Sequence, residues 1–115
     1  MSLASRNFKK HGNESFPVFF DDGSEQFCCA IKNDRKVKVG FIKKNIWKEI
    51  KWEQDTAALA DYYGYLAINE VRIIKSGWFA FATVDLYLAD SSIVRVRTDK
   101  GFAEFLVGIN HLIEN

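Results

Sequence analysis

The sequence predicts an α+β domain: a bent antiparallel sheet or barrel of six to seven strands, capped by one C-terminal amphipathic helix. Three observations carry that prediction. Ten Phe, three Trp and four Tyr put the aromatic fraction at 15%, against a single Pro to interrupt strands. Trp78 to Leu88 is aromatic and β-branched, its later half alternates, and Ile93 to Thr98 resumes the period of two. Val84, Leu86 and Leu88 oppose Thr83, Asp85 and Tyr87, and after the polar turn Ala89-Asp90-Ser91-Ser92, Val94 and Val96 oppose Arg95 and Arg97. Beyond Asp99, a natural N-cap, the residues Phe102, Phe105, Leu106, Ile109, Leu112 and Ile113 recur with the spacing of one buried helical stripe.

The elements follow in order. Residues 1–15 are polar, with Arg6, Lys9, Lys10, His11, Gly12 and Asn13, and read as a flexible N-terminal arm. The single domain then covers residues 16–115, a length that suits one core. Phe16 to Phe20 is a short apolar run containing Pro17, which suits an edge strand. Asp21-Asp22-Gly23-Ser24 is a turn by composition. Gln26 to Lys32 and Arg35 to Lys43 form a hairpin about Asn33-Asp34. In its second arm Val37, Val39 and Phe41 alternate with Lys36, Lys38 and Gly40, which predicts one apolar and one basic face.

The middle is less regular. Ile46 to Glu53 fits a helix through Ile46, Trp47 and Ile50, and a strand through Ile46, Lys48, Ile50 and Trp52. The strand reading is preferred. Asp55 to Tyr63 reads as a second helix, with Asp55 as cap, three alanines, and Leu59 and Tyr63 on one face, ended by Gly64. Tyr65 to Lys75 reads as two short strands about a bend at Asn69-Glu70. The terminal helix is expected over Asp99–Glu114.

Composition narrows the function classes. The hydrophobic fraction of 48% argues for a packed core, and the net charge of +1 argues against a wholesale polyanion binder. The charge is uneven. Lys32 to Lys51 carries eight basic residues against two acidic ones, whereas Glu53 to Asn115 carries five against nine. One end of the fold is therefore expected to be positive and the other negative. Cys28 and Cys29 are adjacent, so they face opposite sides of a strand and read as two reduced thiols, one of them in the core. No apolar run is long enough to span a bilayer and no apolar leader is seen, so the expectation is a cytoplasmic chain that is not transmembrane.

Catalytic patterns are not found, and the chain is expected not to be an enzyme. His11 lies in the arm, and His111 falls on the polar side of the last helix. No Cys-x-x-Cys, His-x-x-x-His or phosphate-cradling Gly-rich loop occurs, so neither a metal nor a cofactor is expected. Two features stand above background. The first is the basic set Lys32, Arg35, Lys36, Lys38, Lys43 and Lys44, with Phe41, Trp47 and Trp52 near in sequence. It fits a solvated face that guards a sheet edge, a site for acidic lipid headgroups, or a nucleic-acid contact. The second is the surplus of rings at Tyr62, Tyr63, Trp78, Phe79 and Phe81. These fit core filling or an interface. The preferred function is a non-catalytic binding or scaffolding domain that acts through protein contacts and self-associates as a homo-oligomer. The alternative is anionic-ligand binding, of phospholipid headgroups or nucleic acid, through residues 32–51.

The pieces Ile68-Asn69-Glu70-Val71, Gly77-Trp78-Phe79, Thr83 to Leu88, Asp90-Ser91-Ser92, Val94-Arg95-Val96-Arg97 and Phe102-Ala103-Glu104-Phe105-Leu106 occur in an order that resembles the pleckstrin-homology-like superfold, in its bacterial and GRAM-type branches. Ile31 to Val37 is similar to the first hairpin of such domains. The resemblance implies a bent sheet with a capping helix and a binding role. Asp55 to Gly64 departs from it as an insertion, and no lipid-phosphate signature carries over.

Overall fold

The computed structural model describes residues 3–43, 66–76 and 80–113. In chain order these form α1 (Leu3–His11), β1 (Asn13–Phe20), β2 (Glu25–Asn33), β3 (Lys36–Lys43), β4 (Leu66–Ser76), β5 (Phe81–Leu88), β6 (Ile93–Asp99) and α2 (Lys100–Gly108), with a 3-10 turn at Asn110–Leu112. Each strand pairs antiparallel with the next, and β1 also pairs with β6, so six strands close into a ring. The α+β class stands. The readings of residues 46–53 as a strand and 55–63 as a helix lie outside the described residues, as do Trp78 and Phe79.

Strand alternation fills the ring. Val18, Cys28, Ala30, Val37, Val39, Phe41, Ile68, Val71, Val84, Leu86 and Val96 point inward and belong to one buried cluster. The terminal stripe joins it: Phe102, Phe105, Leu106, Ile109 and Ile113 are all buried there. Phe102 lies 5.0 Å from the Phe16 ring, and Phe20 meets Phe41 edge-on at 5.9 Å. The Asp99 carboxylate accepts from the Phe102 N–H at 3.0 Å, so Asp99 caps α2 as its position predicts. The α-helix ends at Gly108, short of the expected Glu114, and the stripe continues through the 3-10 turn.

Four expectations are corrected. Residues 3–15 hold α1 and the first residues of β1 where a flexible arm is expected. Ala4 and Phe8, one helical turn apart, supply the face that docks. Ala4 is buried, and the Phe8 ring lies 5.1 Å from Phe105 of α2. Gly12, at φ +75°, ends α1, and its carbonyl accepts from the Lys32 N–H at 2.8 Å, which leads the chain straight into the ladder. Second, β1 is not an edge strand: it begins at Asn13 and is paired on both sides. Pro17 is tolerated because its carbonyl faces β6, accepting from Thr98 Oγ1 at 3.0 Å. The missing N–H therefore faces β6 too, just before that pairing begins at Val18. Third, β4 is one strand. The bend expected at Asn69-Glu70 is a register shift between Ile68 and Glu70, and a second shift lies between Ile73 and Lys75. Such irregularities increase twist, which helps a sheet of only six strands to close. Fourth, the outer face of β3 is not uniformly basic. Lys36 and Lys38 share it with buried Gly40 and Ile42, with Lys38 opposite Ile31 and Gly40 opposite Cys29; Cys28 is the cysteine in the core cluster, and Cys29 is buried on the outer side.

Among the described residues β3 and β4 pair at Gly40↔Ala67 and Phe41↔Leu66, and towards Val71 the two strands part. The end of the chain fills the gap. Asn110 Oδ1 accepts from the Val71 N–H at 3.0 Å, and its Nδ2 donates to the Val71 carbonyl at 2.8 Å. Ile113 makes a parallel bridge to Val37. One amide side chain thus stands in for a missing strand at Val71, and the backbone groups there stay satisfied.

Candidate functional site: a basic and aromatic sheet face

The outward positions of β4, β5, β6 and β1 form continuous rungs. Lys75 is opposite Thr83, Thr83 opposite Arg97, and Arg97 opposite Phe19. The next rung runs Arg72, Asp85, Arg95, and the one beyond it Glu70, Tyr87, Ile93. Phe81, half exposed at 48%, meets Phe19 edge-on at 6.3 Å. The Arg72 guanidinium sits 4.7 Å from the centre of the Tyr87 ring. Four of the five basic residues between Glu53 and Asn115 therefore share one face with Phe19, Phe81 and Tyr87.

Two acids on that face, Glu70 and Asp85, are held by its arginines, and a third, Asp99 opposite Phe81, caps α2. Arg95 donates to Asp85 from Nε at 2.8 Å and from Nη2 at 3.1 Å, a bidentate pair. The Arg95 hydrogen bond draws the Asp85 carboxyl below its ordinary range, against the opposing effect of burial. Arg72 donates to Glu70 at 3.1 Å and 3.3 Å, and that bond together with the Glu70 charge raises its own affinity for the proton. Lys75 and Arg97 form no ion pair with a described residue, and both are exposed.

The residues singled out by sequence are spread apart. Lys32, Arg35 and Lys36 are exposed at the tip of the β2–β3 hairpin, and Lys38 is half-buried two residues down β3. Lys43 stands at the far end of β3, about 23 Å from Lys36 at the usual rise of a strand. Lys44 lies outside the described residues. Lys32 shares the inward register of Ala30 and Val37, whereas Lys36 and Lys38 take the outward one, so the hairpin splits its charges between two faces. Among the ring-bearing candidates Phe81 is placed on the outer face described above. Tyr62, Tyr63, Trp78 and Phe79 lie outside the described residues.

The ring also has two electrically different ends. The β1–β2 and β5–β6 turns lie at one end, with exposed Asp21, Asp22 and Asp90. The hairpin tip, α1 and the start of α2 lie at the other. The two acidic turns repeat one device. Asp22 accepts from the Ser24 N–H and hydroxyl, and Asp90 accepts from the Ser92 N–H and hydroxyl. Those bonds, the side-chain one first, lower both carboxyl pKa values. The left-handed position falls to Gly23 in one turn and to Ser91, at φ 72°, in the other.

The remaining chemistry is muted. Burial pushes the Cys28 thiol up to about 12 and raises Cys29 well above its ordinary value, the neighbouring Cys28 adding to it. Neither thiol is a ready thiolate. His111 is exposed on the 3-10 turn. Among the described residues no group of three His, Cys, Asp or Glu side chains converges as metal ligands do, and no helix is long and apolar enough to cross a membrane. Comparison with protein-family models, with curated proteins and with solved structures finds no match.

Proposed function

We propose that this chain is a non-catalytic binding domain whose outer β4–β5–β6 face meets an anionic partner. The observation that carries the reading is the division of labour among its cations. Arg72 and Arg95 neutralise Glu70 and Asp85 within the face, and Lys75 and Arg97, on one rung, are left for a ligand. Adjacent strands stand about 4.8 Å apart, so the backbones that carry those two cations are about 10 Å apart, within reach of two anionic groups of one chain. The buried thiols and the solvated His111 support a binding role over a catalytic one. Two adjacent unbridged cysteines fit a reducing compartment such as the cytoplasm. Consecutive antiparallel strands with a terminal helix seated on their interior support the pleckstrin-homology-like reading of the fold.

Inorganic polyphosphate is a suitable probe. Binding at low salt that weakens as salt rises is expected for the wild type, with the K75A/R97A double variant losing most of it. Equal binding by the double variant would remove this face from the account.

A second reading has its own observation. Phe81 and Ile93, 48% and 58% exposed, lie on the same outer face and suit a protein contact, including self-association into a homo-oligomer. Light scattering at high protein concentration tests it, and a strict monomer removes it.

A further inference from the structure

The basic rung does not stand alone. Lys75, Thr83, Arg97 and Phe19 follow one another in register across four strands, and Phe81 closes edge-on against Phe19. A partner that offers only charge, such as a phosphate chain, has no use for two rings beside the free cations. A partner with alternating phosphates and flat bases uses both. Phe81 is half exposed, so part of its side chain is open to a partner. Its partner Phe19 is held between Val18 and Phe20, both of which point into the core, so the pair sits on rigid strands and not on a loop. Among the described residues no helix projects from this face, which suits a strand with splayed bases better than a duplex groove.

We infer that the outer rung Lys75–Arg97 together with Phe19 and Phe81 binds single-stranded nucleic acid, the two cations meeting phosphates and Phe81 stacking on a base. This inference rests on the anionic reading of the face and specifies its ligand. Stacking platforms beside cationic tracks bind single strands with little sequence preference, and each stacked base is worth about ten-fold or more in affinity. Two phosphate contacts give a salt slope of about −1.4 in a log–log plot.

The experiment is fluorescence anisotropy with a labelled oligothymidylate, run beside inorganic polyphosphate and phosphatidylserine vesicles, on the full chain. Wild type is expected to bind the oligonucleotide at low salt. Phe81→Ala is expected to weaken that binding about ten-fold or more while leaving polyphosphate binding unchanged. The K75A/R97A variant is expected to weaken both. Phe81→Leu, which keeps apolar bulk, separates stacking from packing, and it is expected to behave like the alanine variant. Polyphosphate binding without oligonucleotide binding overturns the nucleic-acid inference and leaves the anionic reading standing. Binding of neither overturns both. Oligonucleotide binding that Phe81→Ala and Phe81→Leu leave untouched, or binding to vesicles alone, also overturns the inference.

Discussion

At the scale of single residues, two polar side chains do work that hydrophobic patterning does not reveal. Asn110 holds the Val71 N–H and carbonyl at once, in the gap where β3 and β4 have parted. Asn110→Ala leaves both groups without that partner, and an unsatisfied buried backbone group costs about 1–3 kcal/mol. A drop of about 2 kcal/mol in urea unfolding is the expected result, and an unchanged midpoint would show that the gap closes without the amide. Asp85 is 7% exposed and held by Arg95 across the β5–β6 ladder. Its folded pKa is lowered, so its contribution to stability is fully present above the ordinary Asp value, near pH 4. It is lost as pH falls through the lowered value. Arg95→Met is expected to flatten the dependence of stability on pH in that acid range. An unaltered acid slope would assign the lowered pKa no role in stability. The pairing partner of Asp85 could not be read from the sequence, because alternation places both residues outward without fixing the register between strands.

At the scale of elements, the legible ones are those whose apolar period is unmixed. The helical stripe from Phe102 to Leu106, its Asp99 cap, and the alternation of β5 and β6 are found as their spacing predicts, whereas Ile109 and Ile113 are buried beyond the end of α2. The β2–β3 hairpin is found too, about a tight turn with Asp34 at φ 56°. α1 was illegible because a nine-residue helix dominated by polar side chains needs only two docking residues, Ala4 and Phe8. Isolated helices of that length are marginal in water, and this one is held by its contacts with β1 and α2. β4 reads as two strands in the sequence because a bulge carries the same turn-like residues as a break. The energetic weight lies with α2. Phe102 is fully buried between Phe16 and Phe105. Phe102→Ala is expected to cost about 3–5 kcal/mol, enough to unfold much of a marginal domain. A thermal melt within a few degrees of wild type would show that the helix is not seated in the ring.

At the scale of the whole molecule, closure of the ring decides what the surface can do. The sequence places its basic excess in residues 32–51, and the later half reads as acidic. Folding rearranges that picture. Lys32, Arg35 and Lys36 stay at a hairpin tip, Lys43 goes to the opposite end, and acidic turns from both halves of the chain gather at one rim. The four cations of β4 and β6 then meet on one outer face with Phe19, brought in from β1 by closure of the ring. Each outward position is readable within its own strand. Their union is not, because it depends on the β1–β6 pairing, which leaves no local signature, and on two register shifts in β4, whose residues look like those of a break. The central claim is that this face, and not the hairpin tip, is where the molecule engages an anion. Two-dimensional amide NMR during titration with inorganic polyphosphate tests it most directly. The largest shifts are expected along Arg72, Lys75, Arg95 and Arg97. Shifts centred on Lys32, Arg35 and Lys36, or no shifts at low salt, would contradict the account.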